Sequence, residues 1–128
     1  MTSQSRTRAT AAALVAAALT ALGSAGSASA VTYCVAKPAC SGTVSPDVQF
    51  ALTTAAITPV PDRIEVGPGA FYAASGFIYT PVGTTNSLEL VGAGRDQTEL
   101  RGGSDVNGRP ALLLAAGAPA KVSDLTIK

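Results

Sequence analysis

The chain has 128 residues, of which nine are basic and eight are acidic, so its formal net charge is +1. A nearly balanced charge without a cluster of lysine and arginine argues against nucleic acid or anionic lipid as a partner. Histidine is absent, which removes the usual general base and the commonest zinc ligand.

Residues 1–30 have the three parts of a secretory signal peptide. Arg6 and Arg8 supply positive charge, residues 11–22 form an apolar run, and residues 28–30 (ASA) match the small-x-small cleavage pattern. An uncleaved membrane anchor is the alternative, but a helix that spans a bilayer needs about 20 apolar residues. We therefore expect a secreted or cell-surface protein without membrane attachment after cleavage, with about 98 residues in one domain.

The segment 31–45, at the start of the predicted mature chain, contains both cysteines, Cys34 and Cys40. An even number of cysteines in an exported protein indicates a disulfide, and Pro38 favours a turn between the two. Free thiols or a metal-bound pair are the alternatives, although two thiolates without histidine fall short of the four ligands of zinc. The sequence predicts a disulfide that stiffens this segment.

An amphipathic helix is predicted over residues 46–57. Ser45 suits the N-cap, Pro46 the first helical position, and Asp47 the positive end of the helix dipole. Prolines at positions 59 and 61 block its continuation. Apolar residues recur at the spacing of one helical face, at Val48, Ala51, Leu52, Ala55 and Ala56.

Residues 63–128 consist of short apolar segments separated by glycine. Segments of the form apolar-x-apolar recur every 24 residues, at positions 64–66, 88–90 and 112–114. A second series lies between them, at positions 77–79, 99–101 and 124–127. This periodicity predicts a solenoid of parallel strands. A small antiparallel sandwich is the alternative, but its strands are typically about 5–6 residues long.

Equivalent residues of successive turns should stack in a solenoid, with Glu65 and Glu89 facing solvent. The bends are expected to need positive φ or to lack room for a side chain. The inward-facing columns predicted from the 24-residue spacing are Ile64, Leu88 and Leu112 in one, and Val66, Leu90 and Leu114 in the other. The glycines predicted at the bends are Gly67, Gly69, Gly92 and Gly94.

The segments DRIEVGPGAFY, LELVGAGRDQTELRG and VSDLTIK resemble the start of a right-handed parallel β-helix of the pectate-lyase-like superfamily. Residues 68–72 approximate its PG-x-Y turn with one inserted residue, and residues 92–102 follow its G-x-G…T-x-L-x-G pattern. Residues 122–127 match its V-x-x-L-T-I strand. The segment around the two cysteines also resembles that of secreted actinobacterial β-helix proteins. The resemblance implies an all-β solenoid whose N-terminal end is capped by the helix over 46–57.

The resemblance covers about two and a half coils, whereas at least three repeats are normally needed for stability. We therefore expect the chain to be the N-terminal fragment of a longer protein. Stacking of partner chains on the open end is one alternative. A small secreted domain that is complete in itself is another. The sequence does not indicate an oligomeric state.

The pectate-lyase-like superfamily contains lyases, hydrolases, epimerases and non-catalytic surface proteins. The resemblance implies that the full-length protein recognises or processes extracellular polysaccharide. If the protein is an enzyme, a polysaccharide lyase or a glycoside hydrolase is expected. A non-catalytic adhesion solenoid is the alternative. No catalytic set of residues is visible, no cofactor is indicated, and calcium could be bound only in coils beyond this chain.

Three aspartates, Asp96, Asp105 and Asp124, are the acidic candidates for a site. Calcium takes six to eight oxygen ligands from converging groups, and these aspartates are scattered along the chain. We expect Asp96 to lie in a turn and Asp124 to end a bend before a strand.

Arginines and aromatic residues are the remaining candidates. Arginine binds the carboxylates of uronic acids in a bidentate manner, although ordinary surface positions are the more common role. Aromatic rings can stack on sugars, but packing at the first corner is the expected role, since two of them should point inward. The arginines are Arg95, Arg101 and Arg109, and the aromatic residues are Phe71, Tyr72, Phe77 and Tyr79.

Overall fold

A computed structural model describes residues 29–83, 86–103 and 108–128 of the chain. The predicted signal peptide up to residue 28, and Asp105, lie outside the described residues. Within these ranges, no helix is long and apolar enough to cross a membrane.

One helix and ten short strands make up the described part of the chain. The helix α1 spans Val48–Ile57, between the second and third strands. The strands are β1 (Val31–Val35), β2 (Thr43–Ser45), β3 (Asp62–Val66), β4 (Gly69–Ala73), β5 (Phe77–Tyr79), β6 (Leu88–Val91), β7 (Thr98–Gly102), β8 (Leu112–Leu114), β9 (Ala120–Ser123) and β10 (Thr126–Ile127).

The strands of the described residues pair in parallel throughout and form three sheets. Sheet A has the order β2-β1-β3-β6-β9, sheet B the order β10-β7-β4, and sheet C the order β5-β8. From β3 onward the chain visits sheets A, B and C in turn and then repeats this order. The parallel ladders predicted from the repeats are confirmed, and the antiparallel sandwich is excluded.

The register of sheet A differs from the one predicted from the 24-residue spacing. Ile64 lies opposite Leu90, 26 residues later, and Leu90 lies opposite Val122, 32 residues later. Leu88, the predicted partner of Ile64, lies opposite Asp62 instead. Side chains alternate with a period of two, so a shift by two residues keeps the same side chains inward. The spacing therefore identified the buried residues but not their partners.

The prediction that Leu112 and Leu114 continue the two columns of sheet A is wrong. These residues pair with Phe77 and Tyr79 in sheet C, where both leucines are half-buried. Sheet A continues instead with β9. An apolar-x-apolar pattern indicates a strand, but it does not say which of three sheets the strand joins.

The second predicted series is also divided between sheets. Ile78 lies opposite Leu113 in sheet C, whereas Leu100 lies opposite Phe71 and Ile127 in sheet B. The turns of chain between paired strands differ in length, so a single period cannot assign every strand.

The core lies between the sheets and the helix. Ile64, Val66, Leu88 and Leu90 are at most 2% exposed, which confirms their predicted inward orientation. The helix packs against β1, β3 and β5. Its predicted apolar face is confirmed, because the buried helical residues are Val48, Ala51, Leu52, Ala55 and Ala56.

The helix begins two residues later than predicted, with Asp47 as its N-cap. The Asp47 carboxylate accepts a hydrogen bond of 2.7 Å from the backbone N–H of Phe50. Ser45, the predicted cap, is the last residue of β2 and pairs with Val35 of β1. Strand pairing holds Ser45 in an extended conformation, so the helix starts at the next acceptor that suits an N-cap.

Gln49 of the helix closes one edge of sheet C. Its side-chain Nε2 donates to the carbonyl oxygen of Ile78 at 2.9 Å, and the Ile78 N–H donates to its Oε1 at 2.8 Å. The side-chain amide thus makes the two hydrogen bonds that a neighbouring strand would make.

The N-terminal segment 31–45 belongs to sheet A rather than preceding the coils as a separate part. β1 pairs with β3, with Tyr33 opposite Ile64, and β2 pairs with β1 on the other side. The repeats that begin at residue 63 suggested that β3 would be the first strand of its sheet. It is instead the third, after β2 and β1.

The disulfide between Cys34 and Cys40 is confirmed, with Cα atoms 6.1 Å apart. Cys34 is fully buried, and Lys37 in the loop between the cysteines forms an ion pair with Glu65 of β3. The disulfide therefore holds this loop against sheet A.

Replacing both Cys34 and Cys40 by alanine should lower the free energy of unfolding by about 2 kcal/mol, because the short closed loop no longer restricts the unfolded chain. Urea denaturation of the double variant and of the wild type, each with and without reductant, measures this loss. Reductant should lower the midpoint of the wild type alone. An unchanged midpoint in the variant would contradict a stabilising role for the disulfide.

The four predicted bend glycines meet two different requirements. A Cβ at Gly67 or Gly92 would overlap a backbone carbonyl oxygen, so these positions lack room for a side chain. Gly69 and Gly94 instead have φ values of 140° and 157°, which favour glycine. The two reasons predicted from the sequence therefore both apply: lack of space at Gly67 and Gly92, and positive φ at Gly69 and Gly94.

Candidate functional site

The outer face of sheet B carries the strongest candidate for a binding site. Along β7, Leu100 is fully buried, so Arg101 points outward. Tyr72 of β4 lies opposite Arg101 and is 73% exposed. The backbone N–H of Lys128 donates to Leu100, and its carbonyl oxygen accepts from Gly102, which places Lys128 opposite Arg101. Tyr72, Arg101 and Lys128 therefore form one row across the sheet.

Glu99 connects this row to a second row of outward residues, in which it lies between Ala70 and Thr126. Its Oε1 lies 2.6 Å from Nε of Arg101 and 3.1 Å from Nζ of Lys128. Hydrogen bonds from these two cations lower the pKa of Glu99 to about 2. The carboxylate is therefore ionised at neutral pH and holds both cations in place.

An open cleft of about 380 Å³ adjoins the two rows. The cleft is lined by Arg95, Asp96 and Gln97 of the turn between β6 and β7, and by Glu99 and Thr126 of the neighbouring strands. The Thr126 hydroxyl donates to the backbone carbonyl of Arg95 at 2.6 Å, which ties the turn to β10. The cleft thus presents charged, amide and hydroxyl groups next to an exposed aromatic ring.

The acidic candidates do not converge. Asp96 lines the cleft, whereas Asp124 occupies a bend before β10 with a φ of 57°. Asp105 lies outside the described residues. No three His, Cys, Asp or Glu residues of the described ranges are placed to hold a metal ion.

The arginine candidates separate into two locations. Arg95 and Arg101 belong to the sheet B site, whereas Arg109 lines a groove on sheet C with Ile78 and Leu113. Arg101 points outward, as its position after Leu100 predicted. The sequence did not single out Glu99 or Lys128, although the alternation around Leu100 places Glu99 on the outer face as well.

Only one of the four aromatic candidates offers an exposed ring. Phe77 and Tyr79 are buried, and Phe71 is half-buried. The prediction that two of these rings point inward is confirmed by Phe77 and Tyr79. Tyr72 alone remains as a platform for a ligand.

The outer face of sheet A is charged but internally paired. Arg63 donates to Glu65 at 2.9 Å and to Glu89 at 2.5 Å. Lys37 pairs with Glu65, and Lys121 lies 3.5 Å from Glu89. These cations lower the pKa values of both glutamates. This ladder holds neighbouring strands together, and the described residues that form it include no aromatic side chain.

Comparison with known proteins yields no family model, curated protein or solved structure that matches the chain. Over the residues that the structure describes, the fold consists of parallel β-sheets with one helix packed against them. Within the described residues, the outer face of sheet B combines an exposed aromatic ring, a charged row and a polar cleft.

Proposed function

We propose that the three sheets are the faces of an exported right-handed parallel β-helix of the pectate-lyase-like type, capped by α1. The repeated passage of the chain through sheets A, B and C supports this proposal. A crossover between parallel strands is right-handed in nearly all proteins. The signal-peptide pattern of residues 1–30 supports export to the cell surface or beyond.

We propose further that the outer face of sheet B binds extracellular polysaccharide. The supporting observation is Tyr72, which is 73% exposed and lies opposite Arg101 beside the polar cleft. An exposed ring covers the apolar face of a sugar, and nearby charged and amide groups hydrogen-bond its hydroxyls. Tyr72, Arg101 and Lys128 lie on three neighbouring strands, so their row suits a linear chain of sugars that crosses the strands of sheet B.

Glu99 of the sheet B site is suited to a role in binding and not to one as a general acid. A general acid must carry a proton at the working pH, and the Glu99 carboxyl, with a pKa of about 2, does not. Its lone pairs are also engaged by Arg101 and Lys128, which weakens it as a base. A binding face of this kind fits a non-catalytic surface protein as well as the binding part of an enzyme.

Replacing Tyr72 by alanine should weaken polysaccharide binding about two- to tenfold, because an aromatic contact contributes about 0.5–1.5 kcal/mol. Isothermal titration calorimetry against a panel of purified plant and microbial polysaccharides measures the change. Tyr72→Phe keeps the ring and should retain most of the affinity. Lys121→Ala, on the outer face of sheet A, is a control for loss of a surface side chain elsewhere. The proposal fails if no polysaccharide binds, or if Tyr72→Ala binds as tightly as the wild type.

A further inference from the structure

A buried carboxyl group lies where the helix meets sheet A. Asp62 is the first residue of β3 and points inward, between Val31 and Leu88 in the neighbouring strands. It is only 3% exposed, although aspartate is rarely buried without a charged partner. Its Oδ1 has no hydrogen-bond partner among the described residues.

The other carboxyl oxygen contacts the end of the helix through Thr58. The Thr58 hydroxyl oxygen lies 2.5 Å from Oδ2 of Asp62 and 3.0 Å from the backbone carbonyl of Ala55. A hydroxyl has one proton and can donate to only one of these oxygens. Donation to Ala55 satisfies a carbonyl in the last turn of α1, which would otherwise have no helical partner. When Thr58 donates to Ala55, the hydrogen bond between Thr58 and Asp62 requires a proton on the Asp62 carboxyl.

The surroundings of Asp62 favour its neutral form. The titratable groups that face it are Tyr33 from β1 and Tyr79 from β5, and burial raises the pKa of each. Both tyrosines are therefore neutral across the acidic range. Neither Thr58 of the helix end nor Leu88 of β6 is titratable, and the nearby Arg63 pairs with glutamates on the outer face. The negative end of the helix dipole adds to the cost of a charge here.

We propose that the Asp62 carboxyl keeps its proton in the folded protein at acidic pH, and that it operates a pH-sensitive latch between α1 and sheet A. The latch is the chain in which the Asp62 hydroxyl donates to Thr58 and the Thr58 hydroxyl donates to Ala55. Ionisation removes the first donor and leaves a buried negative charge. Thr58 then turns its proton toward the carboxylate, the Ala55 carbonyl loses its partner, and the last turn of α1 loosens from β3.

The direction of the pH dependence follows from the Asp62 pKa, which burial raises above its ordinary value of 3.8. Between 3.8 and the folded-state pKa, the folded protein keeps a proton that the unfolded chain has lost. Stability therefore falls as pH rises through this window, and the loss is complete above the folded-state pKa. Glu65, Glu89 and Glu99 have lowered pKa values, so their contribution to the stability of the folded protein rises with pH, and this rise occurs below about 4.5. The latch is closed on the acidic side of its window.

Carbon-13 NMR titration of the Asp62 carboxyl in the intact protein tests the proposal directly. Hydrogen exchange at Ala55, Ala56 and Ile57, corrected for the intrinsic effect of pH, reports the opening of the last helical turn. We expect the carboxyl to titrate clearly above 3.8 and these amides to exchange at least tenfold faster above that transition. A carboxyl that titrates at or below 3.8 would overturn the proposal, as would exchange that does not change across the transition.

Two variants separate the latch from a general effect of pH. Asp62→Asn keeps a donor to Thr58 at every pH, so the exchange of the three amides should stay slow throughout. Thr58→Val removes the relay, so exchange should be fast at every pH. An Asp62→Asn protein that opens with the same pH profile as the wild type would assign the effect to another group and overturn the proposal.

Discussion

Replacing Leu90 by aspartate should abolish folding. Leu90 is fully buried in sheet A, between Ile64 and Val122 of the neighbouring strands. None of the buried side chains in the described part of the chain is a cation that could pair with a carboxylate at this position. The cost of an unpaired buried charge is several kcal/mol, comparable with the roughly 5–15 kcal/mol that stabilise a typical domain. Circular dichroism and the dispersion of amide NMR signals should show an unfolded chain.

Glu89, the residue before Leu90, provides the matched control. It faces outward between Arg63 and Lys121, so Glu89→Gln removes ion pairs at the surface and should leave the protein folded. Glu89→Lys is a less clean control, because it places a third positive charge between these two cations. If Leu90→Asp and Glu89→Gln gave the same spectra, the assignment of inward and outward faces in β6 would be wrong.

Replacing Gly92 by alanine should lower the free energy of unfolding by about 3 kcal/mol. A Cβ at this position would overlap the carbonyl oxygen of Asp124 and would lie 2.7 Å from the Cβ of Leu125 and 2.9 Å from that of Thr98. The Gly92 N–H also donates to Ser123 at 3.0 Å, so the two segments cannot separate without loss of this bond. Urea denaturation measures the change.

Gly94→Ala is the control for this prediction. Gly94 has a φ of 157°, but the nearest neighbour of a Cβ there would be the side chain of Gln97, at 3.5 Å, which is an ordinary contact distance. The expected loss is the conformational cost alone, about 1 kcal/mol. Equal losses in Gly92→Ala and Gly94→Ala would contradict the view that lack of space, and not backbone conformation, requires glycine at position 92.

The parts of the fold that could be predicted depend on local periodicity. The alternation in IEV and LEL identified Ile64, Val66, Leu88 and Leu90 as inward residues, and all four are buried. The spacing of apolar residues identified the buried face of α1 in the same way. These patterns reflect which side of one element faces the core, and the sequence of that element alone determines it.

Strand partners could not be predicted, because they depend on the lengths of the connections. Leu88 and Leu90 are equivalent in pattern, and only the path of the chain decides that Leu90 lies opposite Ile64. For the same reason, the residues that form the candidate site on sheet B could not be predicted. Glu99 meets Lys128 because β10 pairs with β7 in one particular register, which places residues distant in sequence side by side.

The burial of Asp62 could not be predicted for a different reason. In the sequence, Asp62 follows two prolines and resembles an ordinary polar residue of a turn. Its inward position results from the pairing of β3 with β1 and β6, and its contact with Thr58 results from the packing of α1 on sheet A. Both are tertiary features.

The pairing of Gln49 with Ile78 leaves only one edge of sheet C open to a further strand. Both backbone groups of Ile78 that point away from β8 are occupied by the glutamine amide, so another chain cannot extend the sheet from that side. Exposed strand edges are where unrelated chains join and begin to aggregate. A single neutral side chain thus protects the β5 edge without a charge or a proline. Any further strand of sheet C must therefore pair with β8.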